Sequence, residues 1–167
     1  MLYVPRTKFL FIHIPRSAGN AITRSLVKAL IDKEDMVLNT SIPWTDRHMT
    51  LHEALLGLRL KAMDVNAFAI HRDYESIVSS DWRLQVSAGH DVTHEQVREW
   101  WAEQLKGERP WEHWAGSGVQ RVPYDQISEW WPLICEAAGC EGTPELPKWD
   151  FEMDRCDRRC ANLSTSE

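Results

Sequence analysis

The chain has 167 residues, of which 43% are hydrophobic and 26% charged, enough for one ordinary core of about 100–150 residues with some loop and tail. Its net charge of −6 argues against a nucleic acid or another polyanion as the main partner, because such binding rests on a broad Lys/Arg surface. No apolar run approaches the ~20 residues needed to cross a bilayer, and Arg6 and Lys8 precede only a short apolar run, which does not fit a signal peptide. A single cytoplasmic domain over residues 1–167, with no membrane partner, is the expectation.

Residues 8–15, Lys-Phe-Leu-Phe-Ile-His-Ile-Pro, form a near-continuous apolar run of strand length, suited to the centre of a parallel sheet covered on both faces. The short turn 16–20 follows, and then Ile22, Leu26, Ala29 and Leu30 keep the period of a helix. A second strand is expected over 37–42, a polar loop over 43–49, and a helix opened by a capping box of Thr50 and Glu53, with Ala54, Leu55 and Leu58 on its buried face. Residues 66–71 predict a further strand, after which Asp73 caps a helix packed through Ile77, Val78, Trp82 and Leu84.

Thr93 and Gln96 make another capping box, and Val97, Trp100, Trp101 and Leu105 follow at helical spacing up to a stop at Gly107. A short strand over 118–122 and a helix over 129–138 ending at Gly139 complete the pattern, with Pro132 acceptable only in that helix's first turn. Alternating strands and helices predict an α/β fold, a three-layer α/β/α sandwich on a central parallel sheet, in which ligands bind outside the carboxyl ends of the strands. The loops at 15–20, 43–49 and 71–74 are therefore the ones to carry chemistry.

The turn Pro15-Arg16-Ser17-Ala18-Gly19-Asn20-Ala21 combines a cation, a hydroxyl and a glycine where N–H groups at a helix start can cradle a phosphate. Taken alone, these residues also fit a capped connection with a surface Arg. The turn lacks the G-x-x-x-x-G-K-[ST] pattern of a Mg²⁺-nucleotide loop.

Residues 11–22, Phe-Ile-His-Ile-Pro-Arg-Ser-Ala-Gly-Asn-Ala-Ile, resemble the phosphosulfate loop of sulfotransferases that use 3′-phosphoadenosine 5′-phosphosulfate, a family with a P-loop-like fold and a pattern near F-I-H-I-P-K-T-A-G-T-S. Arg16 replaces the usual Lys, keeping the charge with a different geometry. The resemblance implies that Arg16 contacts the 5′-phosphosulfate and its bridging oxygen, while Ser17, Ala18, Gly19, Asn20 and Ala21 wrap the phosphate. Residues 69–80 resemble the family's 3′-phosphate segment, in which an Arg ending a strand is followed by a Ser eight residues later. Arg72 and Ser80 fit that spacing, and Ser79 takes the role if the missing Pro reflects a one-residue deletion.

Residues 119–140 resemble the family's late strand, turn and helix, so the likeness spans a core of about 8–140, and 141–167 diverge. Certain carbohydrate sulfotransferases carry a catalytic His in a His-x-[Ser/Thr] segment between the two phosphate motifs, and His48-Met49-Thr50 occupies that place. His48 is the expected general base, with His52 and Glu53 in reserve.

The resemblance thus implies sulfuryl transfer to a hydroxyl or amine of a small-molecule or carbohydrate acceptor, without a metal, with adenosine 3′,5′-bisphosphate as product. A small-molecule kinase on the same architecture and a non-catalytic nucleotide-binding module are the alternatives. Nine tryptophans are mostly core material, with Trp44 and Trp82 nearest the loops that would meet an acceptor. His13 and His71, at strand ends, read as structural, and His90, His94 and His113 carry no motif. Cys135, Cys140, Cys156 and Cys160 lack paired zinc spacing and read as reduced thiols.

Overall fold

The computed structural model describes residues 1–30, 37–38 and 48–146. Five strands form one sheet in the order β3-β1-β2-β4-β5: β1 (Leu2–Val4), β2 (Phe9–Ile12), β3 (Val37–Leu38), β4 (Asn66–His71) and β5 (Gln120–Pro123). The helices are α1 (Gly19–Ala29), α2 (Leu51–Leu58), α3 (Tyr74–Ser87), α4 (His94–Leu105), α5 (Pro110–Trp114) and α6 (Ile127–Ala138).

All four residues of β2 are buried, as its unbroken apolar run requires. Their side chains alternate between two cores. Phe9 and Phe11 join Phe68, Ile70 and Val122 beneath α1 and α6, whereas Leu10 and Ile12 join Ala67, Ala69, Ile77, Val78, Val97 and Trp101 beneath α3 and α4. The chain is thus an α/β sandwich with helices on both faces of the sheet.

The sheet is not purely parallel. β2, β4 and β5 pair in parallel, with Phe11 opposite Phe68 and Ile70 opposite Val122, but β1 is antiparallel to both β2 and β3. The core therefore begins at Leu2 rather than near residue 8, and the phosphate-type turn follows the second strand instead of the first. Three residues are too few to display a strand period, yet Leu2, Tyr3 and Val4 are all buried. A turn at Pro5–Thr7 and the left-handed Lys8 (φ 56°) fold this hairpin back. Two antiparallel steps make β3 run in the direction of β2, so its carboxyl end lies on the same side of the sheet as those of β2, β4 and β5. Of the strand expected over 37–42, only Val37–Leu38 is described; 39–42 lie outside the described residues, as do 43–47 of the loop beyond.

The capping residues act as their types predict. Thr50 and Glu53 close a reciprocal box at the start of α2, Asp73 accepts from the Ser76 N–H at 2.8 Å, and Thr93 pairs with Gln96 at the start of α4. Three expectations are corrected. Trp100 is 50% exposed, because α4 buries Val97, Trp101 and Leu105 instead. Helix α4 ends at Leu105, with left-handed Lys106 (φ 50°) preceding Gly107. Helix α6 starts at Ile127, two residues early, which places Pro132 in the second turn and removes one intrahelical hydrogen bond. Among the described residues no helix is long and apolar enough to cross a membrane.

Candidate anion site at the ends of β2 and β4

The turn after β2 is built on two left-handed residues that are not glycine, Arg16 (φ 59°) and Ala18 (φ 60°). Such positions carry about 1–2 kcal/mol of strain each, which the surrounding contacts must hold. Ser17, between them, is buried; its N–H donates to Ile14 O at 3.3 Å and its hydroxyl to Pro15 O at 3.4 Å. Ser17 thus braces the loop from inside. Ala18 caps α1, and the Ile22 N–H donates to Ala18 O at 3.1 Å. The N–H groups of Gly19, Asn20 and Ala21, in the first turn of α1, have no intrahelical acceptor by construction and form the positive end of the helix dipole. Gly19 is required for a different reason: a Cβ there would fall on the ring of buried His13.

Arg16 reaches out of this turn to α3. Its Nη2 donates to Ser80 Oγ at 3.0 Å and to Ser80 O at 3.4 Å. Arg72, just past the end of β4, sends Nη1 back to Arg16 O at 2.8 Å, and its guanidinium lies 4.4 Å from the Tyr124 ring centre. The two segments singled out by sequence thus meet, as they must when β2 and β4 are parallel neighbours. Burial pushes the Arg72 pKa down, and the charges of Arg16 and Arg83 act in the same sense, against the opposing effects of Tyr124 and Asp73. Ser80 faces the loop, whereas Ser79 Oγ lies 3.0 Å from His94 Nε2, a contact between α3 and α4 that gives His94 a place no motif had assigned.

His48 is held at the same end of the sheet. Its Nδ1 lies 3.3 Å from His13 O; a carbonyl only accepts, so Nδ1 carries the proton in the neutral ring and Nε2 is the basic nitrogen. The His13 ring meets it edge-on at 4.6 Å, and the Trp114 indole donates to His48 O at 2.9 Å. Helix α5, not anticipated from sequence, thus positions the backbone of His48. Glu53 is occupied by the cap: its carboxylate accepts from the Thr50 N–H at 2.7 Å and the Thr50 hydroxyl at 2.9 Å, and these bonds hold its pKa below the usual carboxylate value. His52 is exposed on α2.

Beside Arg72, His71 contacts Arg121 on β5, and Trp111 lies against both. Trp82 donates to Val92 O at 3.1 Å, while Trp44 lies outside the described residues. Cys135 is buried and Cys140 partly so; Cys156 and Cys160 lie outside the described residues.

Comparisons of this chain with protein-family models, with curated proteins and with solved structures find no match.

Proposed function

We infer that the chain is a sulfotransferase of P-loop-like architecture, taking the sulfuryl group of 3′-phosphoadenosine 5′-phosphosulfate to a hydroxyl or amine of a small-molecule or carbohydrate acceptor. The observation that carries this reading is the link between Arg16 and Ser80 at 3.0 Å, with Arg72 bonded to the Arg16 carbonyl at 2.8 Å. It joins a 5′-type and a 3′-type phosphate motif into one patch. Two neighbouring guanidinia repel one another, and an anion with two phosphates on one ribose relieves that repulsion while satisfying their planar donors. This donor set fits the bisphosphate without calling on a metal.

When bound, the phosphosulfate would supply an activated sulfuryl group. Arg72 and Ser80 would hold the 3′-phosphate. Arg16 and the first-turn N–H groups of α1 would take up the negative charge that grows on the leaving 5′-phosphate, an interaction strongest in the transition state. His48 Nε2 would accept the acceptor's proton as the oxygen–sulfur bond forms and the sulfur–phosphate bridge breaks. The neutral ring is the form that can accept this proton.

The test is release of adenosine 3′,5′-bisphosphate from the phosphosulfate donor in the presence of a panel of hydroxyl and amine acceptors. Arg16→Ala should lower turnover by about 10²–10³-fold, the scale for one lost transition-state donor, with a much smaller loss of bisphosphate affinity. An Arg16→Ala protein with normal turnover would remove Arg16 from the leaving-group role.

A further inference from the structure

The carboxyl end of α6 closes in a Schellman turn. Gly139 is left-handed at φ 79°, its N–H donates to Glu136 O at 2.9 Å, and the Cys140 N–H donates to Cys135 O at 2.9 Å. This bond pair brings together the side chains at the two positions occupied here by Cys135 and Cys140. Cys135 is 0% exposed, while Cys140 is half-buried and packs on the same core cluster. The turn is braced from two sides. Arg6 and Thr7 donate to Gly139 O and Ala138 O, each at 3.5 Å, and Leu30, just past α1, pairs with Cys140 in an isolated antiparallel bridge.

We propose that Cys135 and Cys140 form a thiol–disulfide exchange site, with Cys140 as the attacking thiol reached from solvent and Cys135 as the resolving thiol behind it. The reading is independent of sulfuryl transfer. Cys135 is fully enclosed while Cys140 is only half-buried, so the outer sulfur is the one a small disulfide can reach, and attack falls to it. The co-reactant class is a small disulfide such as glutathione disulfide. The Cys140 thiolate attacks one of its sulfurs, a mixed disulfide forms, and one small thiol leaves. Cys135 then attacks the Cys140 sulfur and expels the second small thiol. Two protein thiols are oxidised to one disulfide, the small disulfide is reduced to two thiols, and the two protein protons end on them. The turn already brings the two positions together, and an added small thiol reverses both exchange steps.

The experiment incubates the full-length chain with glutathione disulfide, alkylates the remaining thiols and maps the peptides by mass spectrometry. An internal Cys135–Cys140 disulfide, reopened by dithiothreitol, is the expected product in the wild type, a result that needs no variant to fold. Cys135→Ser should stop the reaction at a Cys140–glutathione mixed disulfide. A Cys140 that stays alkylatable while Cys156 or Cys160 is oxidised, or that pairs with either of them, would overturn the proposal.

Discussion

Two residues at the end of β2 illustrate how the site is set by single side chains. Gly19 has no room for a Cβ because the His13 ring occupies that space, so Gly19→Ala should destabilise the fold by about 1–3 kcal/mol, the range for overpacking a filled core. Removing the obstruction should return part of the loss: denaturant melts of Gly19→Ala and Gly19→Ala/His13→Ala, with His13→Ala as control, would show a coupling of opposite sign. Additive effects would mean that Gly19 is needed for something other than the ring. His48 carries the second residue-scale expectation. His48→Ala should cut turnover by about 10²–10⁴-fold, the scale of a lost general base, and leave bisphosphate binding nearly unchanged. Near-normal turnover would pass the proton to another group.

At the scale of elements, helix starts govern how the site is presented. Asp73 stands between Arg72 and α3, and its carboxylate caps the helix that carries Ser80. Hydrogen bonds from Ser76, foremost among the causes, hold the Asp73 pKa below its usual value. A depressed folded pKa means the cap's contribution is complete above the unfolded pKa and fades as pH falls through the folded one. Asp73→Ala should cost about 1 kcal/mol at neutral pH, and urea melts should show the difference from wild type narrowing in acid; a constant difference would contradict the cap. The same elements show what sequence could and could not tell. β2, β4 and the three capped helices were legible because they combine a clean period with a specific start residue. β1 and α5, of three and five residues, are too short to show a period, and their places come from long-range packing: pairing with β2 for one, Trp114 beneath His48 for the other. In the candidate site, Arg16, Arg72 and the Ser79/Ser80 pair were singled out through the family resemblance, and the structure brings Arg16 to both Ser80 and Arg72. Tyr124 under Arg72 and His94 beside Ser79 were not, because each contact depends on which strands or helices become neighbours.

Over the whole molecule, the sheet order brings the two cationic segments together. β2 and β4 are adjacent and parallel, so the turns that follow them emerge side by side. One antiparallel strand, β1, does not disturb this, since it lies on the far side of β2. The chain carries a net charge of −6, so a phosphate ligand would have to be drawn by this local patch and not by the general field. A ligand that bridges both turns should therefore gain from both, and a ligand with one phosphate should not. Isothermal calorimetry of adenosine 3′,5′-bisphosphate against AMP measures this directly. One site is expected, with the bisphosphate bound about 10–100-fold more tightly, as charge-assisted bonds to one more phosphate would give, and that advantage lost in Arg72→Ala; equal affinities for the two nucleotides in the wild type would contradict a ligand bridging both turns.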